Sequence, residues 1–114
     1  MANTYTQLYV HIVFAVSRRK RLISKEWRVD LFKYMYGIID NKRQKTMIIN
    51  GVEDHVHILS TLSRTCEASE MVKEVKRGSS LWLKTKGSDL GEFAWQNGYG
   101  IFSIGFSQVE AVRK

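Results

Sequence analysis

The sequence predicts an α+β fold, an antiparallel sheet of four to five strands with helices on one face and the other face open. Three observations carry that prediction. Residues 4–16 and 55–62 alternate along the chain in the period-2 pattern of half-buried strands. Residues 24–40 and 65–86 instead place apolar side chains three and four apart, the helical period. These segments follow one another as strand, helix, strand, strand, helix, strand, strand, helix, and that order packs into a sheet covered by helices on one side.

In the first strand, Thr4 to Val16, one row holds Leu8, Val10, Ile12, Phe14 and Val16, while Gln7, Tyr9, His11, Val13 and Ala15 form the other. The basic run Ser17 to Arg21 follows as a loop. Ser24 is the expected N-cap of the first helix, with Glu26 in the first turn to suit the helix dipole. Trp27, Leu31, Tyr34, Met35 and Ile38 make its buried stripe to about Asp40, and Asn41 is the expected C-terminal cap. Thr46 to Val52 reads as a second strand. Gly51-Val52-Glu53-Asp54 then turns it back into the strand His55 to Leu62 as an antiparallel hairpin.

Thr65 is a candidate cap for a second helix with a stripe of Ala68, Met71, Val72, Val75 and Trp82, interrupted at Gly78. Acids come early in it and bases late. Phe93 to Gln96 and Tyr99 to Ile104 read as two strands joined by a tight Asn97-Gly98 hairpin turn. Ser107 and Glu110 have capping-box spacing, which announces a last helix starting at about residue 107. That helix is expected to be incomplete at Lys114. The arrangement is ferredoxin-like or RRM-like, one domain over residues 1–114.

Composition bounds the function. A chain of 114 residues is large enough for one core but too short for a barrel enzyme. Eighteen Lys and Arg against 11 Asp and Glu give a formal charge of +7, the footprint of a polyanion binder. The charge is clustered, in Arg18-Arg19-Lys20-Arg21 with Lys25 and Arg28 behind, in Lys42-Arg43-Lys45, and in Lys73, Lys76, Arg77, Lys84 and Lys86. No run approaches the ~20 apolar residues of a membrane span, and no signal peptide opens the chain, so a cytoplasmic protein is expected. The single Cys66 excludes an internal disulfide or a cysteine zinc site. Its simplest role is that of a small packed residue.

The candidate site is His55-Val56-His57. On a strand, side chains two apart share a face, so the two imidazoles project together while Val56, Ile58 and Leu62 turn to the core. Two neutral imidazoles are a ligand pair for one divalent ion, and a third ligand must come from elsewhere. His11 is a candidate if the first strand lies beside this one. The simpler reading of His11 is a polar contact. Lys76-Arg77-Gly78-Ser79-Ser80 is a candidate phosphate contact, with a plain helix kink as its alternative.

With these elements in place, the chain resembles the HUH single-tyrosine transposases of small bacterial insertion sequences and their repeat-associated relatives. The resemblance rests on His11-Ile12-Val13-Phe14 with Arg18-Arg19-Lys20, on Asp54-His55-Val56-His57-Ile58-Leu59, on Val75-Lys76-Arg77-Gly78-Ser79-Ser80, and on Trp95-Gln96-Asn97-Gly98-Tyr99-Gly100-Ile101-Phe102-Ser103. It implies that His55 and His57 hold magnesium or manganese over the scissile phosphate. It also implies a covalent 5′-phosphotyrosine and a free 3′-hydroxyl on single-stranded DNA carrying hairpins, with no nucleotide cofactor. Arg18, Arg19, Lys20, Arg21, Lys76, Arg77, Tyr9 and His11 are the expected DNA-binding residues.

In that family the nucleophilic tyrosine, and a glutamine one helical turn later, lie on the helix after the Gly-Tyr-Gly strand. Here that helix opens at Ser107, and the tyrosine is expected beyond Lys114. The helix is expected to cross to a second subunit, giving a homodimer with shared active sites. The competing expectation is a binding module derived from such a transposase, which recognises DNA hairpins without cutting them. A histidine-triad phosphohydrolase needs a third alternating histidine, and Leu59 stands in its place.

Overall fold

The computed structural model describes residues 8–63, 66–86, 90–91 and 93–105. Strand β1 (Leu8–Ala15) leads through a tight 3-10 turn (Ser17–Arg19) into helix α1 (Lys25–Asn41); β2 (Thr46–Gly51) and β3 (His55–Leu62) follow, then helix α2 (Ala68–Leu83) and strand β4 (Gly100–Ile104). The four strands form one sheet in the order β2-β3-β1-β4, with every neighbouring pair antiparallel.

The period-2 rows decide which face is covered. Val10, Ile12, Phe14 and Val16 of the first strand segment join Ile49, Val56 and Ile58 from β2 and β3 in the core. They meet Leu31, Met35 and Ile39 of α1 and Met71, Val72, Val75 and Leu83 of α2. Burying such side chains is the main stabilising term, worth about 1.5–3 kcal/mol for each large one. Both stripes differ from expectation by one position. Ile39 and Leu83 are fully buried, while Tyr34 is exposed and stacks, 5.7 Å between ring centroids, on Trp82, which packs partly buried against the core.

Local capping preferences are partly overridden. Ser24 caps α1, its Oγ accepting from the Glu26 amide at 3.2 Å. At the other end Asn41 is still helical and Arg43 takes the left-handed conformation, φ 59°. Gln44 makes this possible, because its buried side chain donates to the Lys42 carbonyl and to Ser63 Oγ while accepting from Thr61 and the Ser63 amide. Helix α2 begins after Glu67 as N-cap, and Thr65 lies outside the described residues.

Gly78 does not interrupt α2, which runs unbroken through it. Its role is close helix contact: a Cβ there would lie 2.7 Å from Ile38 Cδ1 of α1.

The Asn97-Gly98 hairpin is not formed. Trp95 makes one antiparallel bridge to Val16, and β4 pairs with β1 from Gly100↔Val13 to Ile104↔Tyr9. Both segments therefore run the same way along β1, and the chain bulges outward between them instead of reversing. Gly98, with φ 85°, supplies the left-handed residue the bulge needs. Lys76 reaches from α2 and donates to the carbonyls of Gln96 (2.8 Å) and Gly98 (2.5 Å), which pins the bulge to the helix layer. Phe93 to Gln96 is accordingly an extension of the β1 edge, not a separate strand. The last helix expected from Ser107 lies outside the described residues.

Candidate metal centre and nucleic-acid face

Strand pleating puts His55 and His57 on the face of β3 away from the helices, with Val56 fully buried between them on the other side. Their ring centroids are 4.9 Å apart. The two rings stand between two clefts and line both. One, about 280 Å³, is bounded by His11, Ile48, Asn50, Gly51 and Val52. The other, about 330 Å³, is bounded by Val13, Arg19, Asn97 and Tyr99 among others.

Each imidazole has one nitrogen already engaged. Nδ1 of His55 lies 2.7 Å from Asp54 Oδ1. A carboxylate is acceptor only, so this nitrogen carries the proton and Nε2 keeps its lone pair. Asp54 is shared: its Oδ2 accepts from Arg19 Nε at 3.2 Å. The bond from His55 is the chief reason its carboxyl sits below the usual aspartate range, with burial opposing and the Arg19 guanidinium assisting. Nδ1 of His57 lies 3.0 Å from Nε2 of His11. Burial holds the His57 pKa below the ordinary histidine value, and the neighbouring His11 and His55 push in the same direction. A neutral imidazole is the form that binds metal.

His11 reaches His57 because of register. On β1 it pairs with Leu59, two residues beyond His57 on the same face, and the rings stack at 5.1 Å and 26°. It does not join the pair as a third donor: among the described residues no group of three His, Cys, Asp or Glu side chains is placed to hold one ion. The donor set fits a divalent ion as two imidazole ligands with a carboxylate behind one of them.

The basic turn is fastened beside this pair. The amide of Val16 donates to the Asp54 carbonyl at 2.8 Å, and that of Ile23 to the Glu53 carbonyl at 2.9 Å. Between these anchors Arg18, Arg19, Lys20 and Arg21 are all exposed. Arg18 and Arg19 both take left-handed backbone conformations, φ 57° and 54°. Such conformations cost about 1–3 kcal/mol each and persist where the surroundings over-determine them; here the two hydrogen bonds to the β2–β3 turn do so.

The other expected DNA-binding residues fall in two places. Tyr9 is half-buried on the open face, two residues from His11. Arg77 is exposed on α2, and with Lys73, Lys76, Ser80 and Lys84 it lines a groove of about 460 Å³ against the 93–99 segment. Lys76 is partly committed within that groove by its two carbonyl bonds, and burial lowers its pKa. Ser79 cannot serve as a phosphate contact. It is fully buried, donates to the Val75 carbonyl at 2.6 Å and accepts from Trp95 Nε1 at 2.9 Å. Trp95 is in turn a core residue, edge-on to Phe14 and Phe93.

Three participants go beyond the residues expected from the sequence. Asp54 reads there as a turn residue, although its place directly before His55 is the signal for a carboxylate backing an imidazole. Asn50 and Gly51 line the cleft because β2 pairs with β3, Asn50 opposite His57. Cys66 is partly buried and unpaired by disulfide, with its thiol pKa raised by that burial. No helix among the described residues is long and apolar enough to cross a membrane.

Solved structures share this fold of an antiparallel sheet with covering helices. One, a protein assigned as a transposase from Deinococcus radiodurans R1, superposes with a TM-score of 0.81 at 16% identity, covering 99% of this chain and 91% of that one. Another, a REP-associated tyrosine transposase bound to a REP hairpin, gives 0.69 at 14% identity, covering 98% of this chain and 66% of that one. No curated protein sequence matches the chain. The family described as "Transposase IS200 like" matches residues 4–114, and the chain belongs to that family.

Proposed function

We propose that this chain nicks and rejoins single-stranded DNA through a covalent 5′-phosphotyrosine, with His55 and His57 as ligands for magnesium or manganese. The observation that carries the reading is the pair itself: two imidazoles on one bare sheet face, one backed by Asp54, beside an exposed four-residue basic turn. A bound divalent ion would draw charge from a phosphoryl oxygen and so lower the barrier to its displacement. Asp54 holds the His55 ring in the tautomer that leaves Nε2 free. Arg18, Arg19, Lys20 and Arg21 supply phosphate contacts that hold the strand, and Arg77 extends the basic surface along α2. Tyr9 offers a ring for base stacking.

The nucleophile of this reading is a tyrosine on the helix expected from Ser107, and none of the residues from Ser107 to Lys114 is a tyrosine. In the reaction its phenolic oxygen forms a bond to phosphorus as the bond to the 3′ oxygen breaks. The tyrosine gives up its proton, and the leaving oxygen takes one to become a 3′-hydroxyl. The ester energy is conserved, so rejoining needs no nucleotide cofactor. The solved REP-associated relative is bound to a REP hairpin, and hairpin-bearing single strands are the substrate proposed here. The helix from Ser107 would place its tyrosine against the histidines of a second subunit, which makes the active unit a homodimer.

The test uses the full gene product and a hairpin-bearing single-stranded oligonucleotide with Mn²⁺. The expected result is a denaturant-stable protein–DNA adduct that disappears in His57→Ala and on chelation. Removing Arg18, Arg19 and Lys20 together should reduce the log–log salt slope of binding by roughly 0.7 for each phosphate no longer neutralised. Nicking by His57→Ala protein would overturn the assignment of the histidines. A second reading, a hairpin-binding module that does not cut, draws on the lack of a third metal-ligating side chain near the pair among the described residues. Metal-independent hairpin binding with no adduct would favour it.

A further inference from the structure

The bond between His11 and His57 joins two groups that can each donate or accept. Neutral imidazole has one N–H and one lone pair, so the contact between His11 Nε2 and His57 Nδ1, 3.0 Å long, exists in two forms. If His11 donates, His57 must carry its proton on Nε2, and neither of its nitrogens has a lone pair left for an ion. If His57 donates from Nδ1, its Nε2 lone pair is free. At His55 the same choice is already made, since the Asp54 carboxylate accepts and never donates.

The geometry points to His11 as a positioning residue that accepts the His57 Nδ1 proton and thereby turns the His57 Nε2 lone pair toward a divalent ion. This inference rests on the metal reading of His55 and His57 and assigns His11 a place behind the ligands. Three features support it. His11 is held on both sides, its ring stacked on His57 at 5.1 Å and flanked by Phe102 of β4 at 6.3 Å. The contact is partly buried, so water competes weakly for the same nitrogen. The arrangement also repeats at each ligand, with Asp54 behind Nδ1 of His55 and His11 behind Nδ1 of His57. Which ring nitrogen of a ligating histidine is free is set by the hydrogen bond the other makes, and partners of this kind typically change metal affinity by about 10- to 100-fold.

The role also accounts for where His11 sits. A third ligand would need its own lone pair aimed at the ion, but Nε2 of His11 is directed at His57. The residue enters the site from β1, whereas both ligands lie on β3. The β1–β3 register therefore controls the chemistry of a ligand on the neighbouring strand.

The experiment reads the His57 tautomer directly, by ¹⁵N spectroscopy of the imidazole nitrogens in metal-free protein at pH 8, alongside Mn²⁺ binding. In the wild type Nδ1 of His57 should be protonated and Nε2 not. His11→Leu should lose that preference and weaken Mn²⁺ binding about 10- to 100-fold. His11→Gln, which keeps an acceptor in reach, should restore most of both; amide spectra of the two variants report their folding. A protonated Nε2 on wild-type His57, or a tautomer unchanged by His11→Leu, overturns the inference whatever the metal does. Mn²⁺ binding that needs His57 but is indifferent to His11→Leu overturns the positioning role while sparing the metal reading. Mn²⁺ binding unaffected by His57→Ala removes the metal reading, and the tautomer measurement then still judges the His11–His57 bond on its own.

Discussion

Replacing Gly51 with Ala tests whether the β2–β3 hairpin sets the position of His55. Two effects oppose each other. Gly51 does not have a positive φ, so alanine can adopt its conformation, and losing a glycine from the unfolded chain stabilises the folded state by about 0.4–1 kcal/mol. Against this, the new Cβ would lie 2.6 Å from the His55 carbonyl oxygen and 3.2 Å from Val56 Cα. Both are backbone atoms of β3, so no rotamer change relieves the clash. Ordinary contact begins at about 3.4 Å, and the strands must separate by several tenths of an ångström to reach it.

The same oxygen also accepts the Val52 amide at 3.0 Å, the bond that closes the hairpin. Overpacking of this kind costs about 1–3 kcal/mol and wins. Net destabilisation of about 1–2 kcal/mol is expected, read as a lower urea midpoint at unchanged m value. Mn²⁺ affinity should fall with it, because His55 moves with its carbonyl. A Gly51→Ala protein as stable as the wild type, with unaltered Mn²⁺ binding, would refute the reasoning.

The contrasting glycine gives the opposite expectation. At Gly78 the added Cβ would lie too close only to Ile38 Cδ1, the end of a side chain that can turn away, with Tyr34 and Ile38 Cγ1 at ordinary contact distance; that costs about 0.5–1.5 kcal/mol against a helix-propensity gain of about 1 kcal/mol, so Gly78→Ala should unfold within about 1 kcal/mol of the wild type in the same urea titration. Asp54→Asn keeps the shape but no longer compels His55 to donate, and Mn²⁺ affinity measured by calorimetry should drop about 10- to 100-fold with the unfolding midpoint nearly unchanged. The pH dependence of metal-free stability should carry the mark of His57. Its pKa is below 6.5 in the folded chain, lowered by burial and by His11 and His55, so its contribution is complete above pH 6.5 and is lost as the pH falls below that value, where the unfolded chain binds the proton first. His57→Gln should flatten this limb in urea titrations between pH 7 and 5, and an identical slope would contradict the shift. The Asp54 contribution persists to lower pH, being lost only below its unfolded value of 3.8.

The fold was legible where the signal is local and repeated. Alternation over the 8 residues of β1 and over His55 to Ile58 in β3 marks which side chains share a face, although Leu59 and Thr61 on the histidine side are buried as well, and the helical stripes mark the matching surfaces of α1 and α2. Single-residue punctuation was less reliable. Asn97-Gly98 has the conformational freedom a hairpin turn needs, but β1 offers one edge along which both flanking segments can pair, and the glycine serves a bulge instead. Gly78 is a weak helix former, yet its close approach to Ile38 gives the missing side chain a packing purpose. Asn41 does not take the capping place because Gln44 secures the chain three residues further on. In each case burial or pairing outweighed a local preference of about 1 kcal/mol.

By itself the sequence determined the local half of the candidate site. His55 and His57 share a face because a strand has period 2, and Asp54 can reach His55 because it is the adjacent residue. The tertiary structure alone decided the rest. That His11 meets His57, that Gly51 leaves no room for a side chain beside the His55 carbonyl and that Arg19 reaches Asp54 depend on strand order and register across 46, 4 and 35 residues of chain. The longest of these separations, the one between β1 and β3, is fixed by burying the row Val10, Ile12 and Phe14 under the helices. A slip of one residue there would turn that row to water, so the hydrophobic effect on the covered face places the polar groups on the open one.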